Sequence, residues 1–207
     1  MMKRRSFLFA AAAALTVAWR GGESRAATMP AATLNIFYET LLAVMKDGPK
    51  LGFAGRRQKL TPAIAQAFDL ALMTRLVVGL PWPSLSAEDQ KQLVAAFAEF
   101  SIATYANQFD DFSGERFEID PKAAPAPVND VIVKTKLIQS NGEPVQLDYL
   151  LRQEQADWRI IDVFLSGTIS QLAARRSEFS GILREQGARG LIAVLRDKTK
   201  ALASSNG

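Results

Sequence analysis

The chain has 207 residues, room for one domain behind a short leader, and it contains neither histidine nor cysteine. Those absences exclude Ser-His-Asp triads, histidine general bases, cysteine nucleophiles, disulfides and most zinc sites. Lys and Arg outnumber Asp and Glu by 25 to 21, a net +4 that would ordinarily raise the question of a nucleic-acid partner.

The first residues answer that question. Lys3, Arg4 and Arg5 precede an apolar run from Ser6 to Ala18, and Ser24-Arg25-Ala26 places small residues where a signal peptidase reads. The run is shorter than the ~20 residues a membrane-spanning helix needs. The sequence therefore predicts a cleaved export signal over 1–26, cut near Ala26 or Ala27, and a single domain over 27–207. Arg4-Arg5-Ser6-Phe7-Leu8 matches the twin-arginine pattern, but Lys3 stands where Ser or Thr is usual, so the general secretory route stays open beside it. The leader holds five basic residues and one acidic, which leaves 20 of each in the mature chain. The positive charge is the leader's, and no nucleic-acid partner is expected. With no cysteine to carry a lipid anchor, the mature chain is expected to be free, soluble and monomeric.

After the leader, Leu34, Phe37, Tyr38, Leu41, Leu42 and Met45 recur at the spacing of an amphipathic helix that ends at Gly48-Pro49. Lys50 to Leu60, basic with two glycines, reads as an exposed loop. Thr61-Pro62 suits the start of a second helix, whose stripe of Ile64, Phe68, Leu72, Leu76 and Val77 runs to Gly79. Pro81-Trp82-Pro83 interrupts the pattern. Ser86, with Asp89 three residues on, resembles a capping box and opens a third helix through Leu93, Phe97, Phe100 and Tyr105.

The period then changes to two. Phe117 and Ile119 form a short strand, Pro121 to Pro127 a loop, and Val131 to Ile138 a strand with one wetter face. Asn141-Gly142 is a strong two-residue hairpin signal, returning through Val145, Leu147, Tyr149 and Leu151. Gln155-Ala156-Asp157 turns into a third long strand, Trp158 to Leu165. Helical spacing resumes with Ile169, Leu172, Phe179, Ile182 and Leu183, and Gly187 and Gly190 separate these from a last helix through Leu191, Ile192, Val194 and Leu195. The expected fold is α+β, with helices packed on one face of a three- to four-stranded antiparallel sheet.

No Gly-rich phosphate loop, nucleophile elbow or paired acidic metal motif occurs, so no cofactor, no metal and no enzymatic activity are expected. Asp110-Asp111 reads as a solvated turn. Asp69 and Asp162 sit within apolar stretches and must meet a donor there, either a helix N-terminus or one of Arg75, Arg159 and Arg176. They are also the residues an envelope enzyme acting on a lipid head group would use. A solidly packed adaptor is a third reading. A continuous apolar cavity of several hundred Å3 would favour a carrier, and close packing an adaptor, at about the ~300–1,000 Å3 scale of ligand sites.

Several blocks in order resemble a known family. Phe68-Asp69-Leu70 with Val78-Gly79 and Trp82 is followed by Phe97, Phe100 and Thr104-Tyr105-Ala106. Then come Val145 with Tyr149, Trp158-Arg159-Ile160-Ile161-Asp162-Val163, and Gly167 to Phe179 with Arg176. Gly187 and Leu191-Ile192-Leu195 close the set. Together they are similar to the MlaC family, the soluble periplasmic component of the toluene-tolerance (Mla) phospholipid transport system. The stretch from Tyr105 to Phe117 looks most like the hopanoid-associated branch, HpnM. Two positions depart from the family pattern: Arg175 stands where Tyr is usual, and Thr168-Ile169 replaces Val-Ser.

The resemblance implies a periplasmic carrier with an apolar cavity between helices and sheet. It would hold a phospholipid or a hopanoid and exchange it with a membrane-bound lipid transport complex. The expected lining is Phe68, Leu72, Leu76, Phe97, Phe100, Tyr105, Val133, Leu137, Leu147, Tyr149, Trp158, Phe164, Leu172 and Phe179, with Arg176 as a head-group contact. Alternation places the strand residues in this set, and one slipped residue would invert a strand.

Overall fold

Pro30 supplies a fixed φ at the first turn of a helix whose Leu34, Phe37, Tyr38, Leu41, Val44 and Met45 are all buried. This is α1, Pro30–Lys46, in a computed structural model that describes residues 29–204. The leader and its cleavage site lie outside the described residues.

The basic stretch after it is not a loop. Helix α2 runs from Gly48 to Ala67, bent at Gly52 (φ 59°, ψ 178°), and its buried face is Phe53, Arg56, Leu60 and Ile64. Arg56 is only 4% exposed. Its Nε donates to the Ala106 carbonyl at 2.7 Å and its Nη1 to the Gly48 carbonyl at 3.1 Å. A buried arginine at helical spacing is an inward residue, and counting it as polar breaks the stripe. Pro62 lies inside this helix rather than at its start, forfeiting one backbone bond without ending it.

Nor does that helix continue to Gly79. Phe68 is extended (φ −108°, ψ 141°) and bridges in parallel to Ile160, and the Asp69 backbone N–H donates to the Ile160 carbonyl at 3.0 Å. Asp69 then caps a new helix, α3 (Leu70–Val78), by accepting from the Leu72 N–H at 2.8 Å. Losing such a cap costs about 1 kcal/mol, so Asp69→Ala should lower the unfolding free energy by that amount, read as a lower urea midpoint, without altering helix content.

Helix α4, Ala87–Gln108, begins at the expected Ser86 cap, whose Oγ accepts from the Asp89 N–H at 3.0 Å. The strands are β1 (Arg116–Ile119), β2 (Ala124–Pro125), β3 (Val131–Ile138), β4 (Pro144–Glu154), β5 (Asp157–Leu165) and β6 (Ile169–Ser170). Last comes α5, Gln171–Ser204, broken at Gly187 (φ 66°, ψ −168°) where the sequence divides two helices.

The sheet is antiparallel throughout, in the order β1-β3-β4-β5-β6, with β2 pairing the start of β3 beside β1. Four of its six strands are those expected; β2 and β6 have two residues each, too short for period-two patterning to register. Within β5 the pairing slips: Leu150 faces Asp162 but Leu151 faces Ile160, so Ile161 is an extra residue, a β-bulge.

Buried side chains form two clusters. One joins α1, α2 and the sheet around Phe37, Leu60, Tyr149 and Ile160. The other joins α3, α4 and α5 around Val77, Leu93, Phe97, Phe179 and Leu191. Helix α4 contributes to both, and Leu70 and Met73 pack against both.

Candidate functional site

Between those clusters the packing is incomplete. A cavity of about 190 Å3 lies along the seam, walled by α4, by α3 and the start of α5, and by β4 and β5. It is smaller than the several hundred Å3 expected of a carrier at rest, and much larger than a packing defect.

Of the expected residues, Phe68, Phe97, Phe100, Tyr105, Leu147, Tyr149 and Leu172 line the cavity. The others do not, each for an identifiable reason. Leu72 and Leu76 belong to a stripe drawn through an unbroken helix. The break at Phe68 and Asp69 resets the phase, so Leu70 and Met73 face the cavity and Leu76 is 37% exposed. The bulge at Ile161 does the same to β5. Pairing of Tyr149 with Val163 and of Leu147 with Leu165 puts Val163 and Leu165 on the cavity side. Phe164 pairs with Asp148 and so lies on the opposite face.

Val133 and Leu137 are on the inner face, but they pack into the α1 cluster away from the cavity. Trp158 packs on the same cluster and borders a separate cavity of about 100 Å3 beside α1 and α2. Phe179 is fully buried in the second cluster. Arg176 lies against Gly79 at the C-terminus of α3, where a Cβ would meet its guanidinium nitrogen at 3.0 Å. A cation there complements the free carbonyls of a helix end. Its neighbour Arg175 reaches the cavity instead, together with Ser101, Thr104, Gln108 and Gln171. Only packing distinguishes two adjacent arginines, which project roughly 100° apart on a helix.

Aromatic rings floor the cavity. Phe37 meets Phe68 edge-on at 5.2 Å and Tyr105 at 5.5 Å, and Tyr105 stacks on Phe109 at 5.7 Å. Beneath them runs a buried polar chain. The Thr135 hydroxyl donates to the Leu147 carbonyl at 2.6 Å, so the Tyr38 hydroxyl, 2.7 Å away, must donate to Thr135. Burial pushes the Tyr38 phenol up to about 12, and burial likewise raises Tyr105 and Tyr149. These are all three of the chain's tyrosines. Because the folded values lie above the ordinary 10.0 of an unfolded tyrosine, stability should be level below pH 10 and fall as pH rises toward 12. Phenolate absorbance should accordingly appear only as the fold is lost, in an alkaline titration monitored with circular dichroism.

The two carboxylates singled out as acid-base candidates are both spent on helix starts. Asp69 caps α3. Asp162 accepts from the N–H groups of Val163 and Leu172 at 2.7 and 3.0 Å and from the Ser170 hydroxyl at 2.5 Å. Neither is among the residues lining the cavity. Among the described residues, no helix is long and apolar enough to cross a membrane.

The site is an apolar seam between helices and sheet in an α+β domain, of the kind a protein that binds an apolar ligand presents. The MlaC protein family profile matches residues 37–197, and the chain belongs to that family. It is 26% identical over 123 residues to the intermembrane phospholipid transport system binding protein MlaC of Haemophilus influenzae, a match covering 58% of this chain and 57% of that relative. The aligned part thus spans a little over half of the relative's length. A phospholipid-binding protein from Ralstonia solanacearum, solved in complex with a phospholipid, superposes with a TM-score of 0.71 at 26% identity, over 85% of this chain and 99% of that one.

Proposed function

We propose that this protein is a lipid carrier of the bacterial periplasm, not an enzyme, taking a phospholipid or a hopanoid from one membrane-bound transport complex and delivering it to another. The observation that carries the proposal is the apolar seam left unfilled between the two buried clusters. A chain selected only to fold or to scaffold would close it. The family, and the phospholipid bound by the Ralstonia protein of the same fold, support the same reading.

Shielding about 12 methylenes of one acyl chain from water is worth roughly 10 kcal/mol, at ~0.8 kcal/mol each. A resting cavity of about 190 Å3 cannot hold such a chain in full. Loading therefore parts the two clusters along the seam, where Leu70, Met73 and Leu202 are, among the described residues, the partly buried apolar side chains that pack on both. Desorption against so large a barrier is slow in free solution, which is why a carrier of this type needs a membrane partner at each end. The sequence features read as an export leader over 1–26, and the family, support a monomeric domain over 27–207 acting in the periplasm. The stretch from Tyr105 to Phe117 supports a hopanoid as the cargo, and the Ralstonia complex supports a phospholipid.

The test is native mass spectrometry of protein purified from a bacterial periplasm, with extraction and identification of what it carries. Co-purified lipid, replaced on incubation with phospholipid or hopanoid vesicles, is the expected result. Protein that is always empty and stays empty after both incubations would end the proposal.

A further inference from the structure

Of the residues lining the cavity, Arg175 alone is charged. The hydroxyls beside it offer no compensating donors. Ser101 and Thr104 donate their single protons back to the Phe97 and Phe100 carbonyls, both at 2.8 Å, and present only oxygen lone pairs to the cavity. The Arg175 guanidinium carbon sits 4.9 Å from the centre of the Phe100 ring, so one face of the cation is already shielded from water. Its Nη1 donates to Glu178 at 2.9 Å. A guanidinium has five N–H donors in one plane, so this bond leaves donors to spare.

Glu178 does not neutralise Arg175 alone. Its other oxygen lies 2.7 Å from the Lys198 ammonium. Burial works against the charged form of Glu178, but hydrogen bonds from Lys198 and Arg175 outweigh it and hold the carboxyl below its ordinary range. Two cations therefore share one carboxylate at the cavity's edge. The surplus is one positive charge, next to an apolar chamber sized for part of a lipid tail.

We propose that Arg175 determines specificity: its guanidinium holds the anionic phosphate of a lipid head group while the tails enter the seam, so that phosphate-bearing lipids are taken in preference to neutral ones of the same chain length. This rests on the carrier reading above. Guanidinium suits the role because its planar donors match two phosphate oxygens at once, and because stacking on Phe100 holds it in one orientation.

The experiment incubates delipidated protein with phosphatidylcholine vesicles containing equal amounts of phosphatidylglycerol and of diacylglycerol with the same acyl chains. The captured lipids are then weighed against one another by mass spectrometry. Replacing a charge-assisted phosphate contact should cut the phosphatidylglycerol-to-diacylglycerol ratio by about tenfold in Arg175→Gln, phosphatidylglycerol capture falling far more than diacylglycerol capture. Glu178→Gln, which leaves both cations without their carboxylate, should raise the ratio above wild type. An ion pair that merely supported α5 would respond differently, lowering capture of every lipid in both variants. That outcome, or a ratio unmoved by Arg175→Gln, overturns the assignment while leaving the carrier intact. Wild-type protein that captures none of the three lipids overturns the carrier reading itself.

Discussion

Val163→Trp should abolish lipid capture, and Phe164→Trp, one residue along the same strand, should leave it unchanged. The two positions differ only in which face of the sheet they occupy. Val163 pairs with Tyr149 and lines the cavity, whereas Phe164 pairs with Asp148 on the far side. An indole at position 163 enters space that is already empty, so the fold should tolerate it, and filling an existing cavity commonly adds about 0.5–2 kcal/mol of stability. The same ring occupies volume the lipid tail needs, and vesicle-to-protein transfer should fall by at least about tenfold, the equivalent of ~1.4 kcal/mol. At position 164 the ring is half-buried on a face that carries Lys134 and Lys136. A surface exchange there should stay within about 0.5 kcal/mol. Transfer rates and urea midpoints of the two variants check both halves. Loss of transfer in Phe164→Trp with retention in Val163→Trp would mean that β5 alternates without interruption and that the seam lies elsewhere.

That pair of residues also shows where a sequence stops being readable. The cap at Ser86 and the alternation along β3 are local devices, each set by a few neighbouring residues, and each is present as expected. Asn141-Gly142 lies in the β3–β4 hairpin, but within a longer turn in which the Gln139 N–H donates to the Glu143 carbonyl and Gly142 takes φ 87°. The bulge at Ile161 has no such local mark. Ile160, Ile161 and Val163 are equally suited to a strand, and the extra residue is accommodated because Leu150 and Leu151 of β4 pair with Asp162 and Ile160 on either side of it. The phase of α3 was hidden for a similar reason. Its start is decided by Phe68 and Asp69 binding to Ile160, nearly a hundred positions away in the chain.

Helix α2 illustrates a different limit. A basic segment looks solvated until Arg56 is seen to satisfy the Ala106 and Gly48 carbonyls, and no hydropathy pattern scores an arginine as interior. Of the expected residues that line the cavity, Phe97, Phe100 and Tyr105 come from α4 and Leu147 and Tyr149 from β4, whose periodicity is uninterrupted, while Phe68 and Leu172 stand at the ends of their helices. Leu70, Met73, Val163 and Leu165, which were not expected, come from elements whose phase is set by tertiary contact. Arg175 belongs to the second group, since nothing local separates it from Arg176.

The contact that sets α5 in place should be the most costly to remove. Asp162→Ala is expected to destabilise the protein by about 3 kcal/mol, because three donors converge on this one carboxylate, and each hydrogen bond to a charged group is worth about 1.5–3 kcal/mol. Asp162 is 6% exposed, so water cannot readily replace it. Its Oδ1 accepts from Val163 and Leu172, and its Oδ2 from the Ser170 hydroxyl, whose own oxygen accepts from the Ala173 N–H at 2.9 Å. Removing the side chain leaves the first turn of a long helix without partners for N–H groups that it cannot satisfy internally. Asp162→Asn keeps one acceptor and should lose only about 1–2 kcal/mol. Because typical domains hold about 5–15 kcal/mol in all, urea unfolding will resolve both variants. The loss should also register in function. Gln171, Leu172 and Arg175 stand on the turns that Asp162 fixes, and they border the cavity. A loosened helix start should therefore release bound lipid faster, at temperatures where the protein remains folded. A variant that is destabilised yet holds lipid as long as wild type would show that the mouth is governed by α4 alone, with α5 serving only to cover the second cluster.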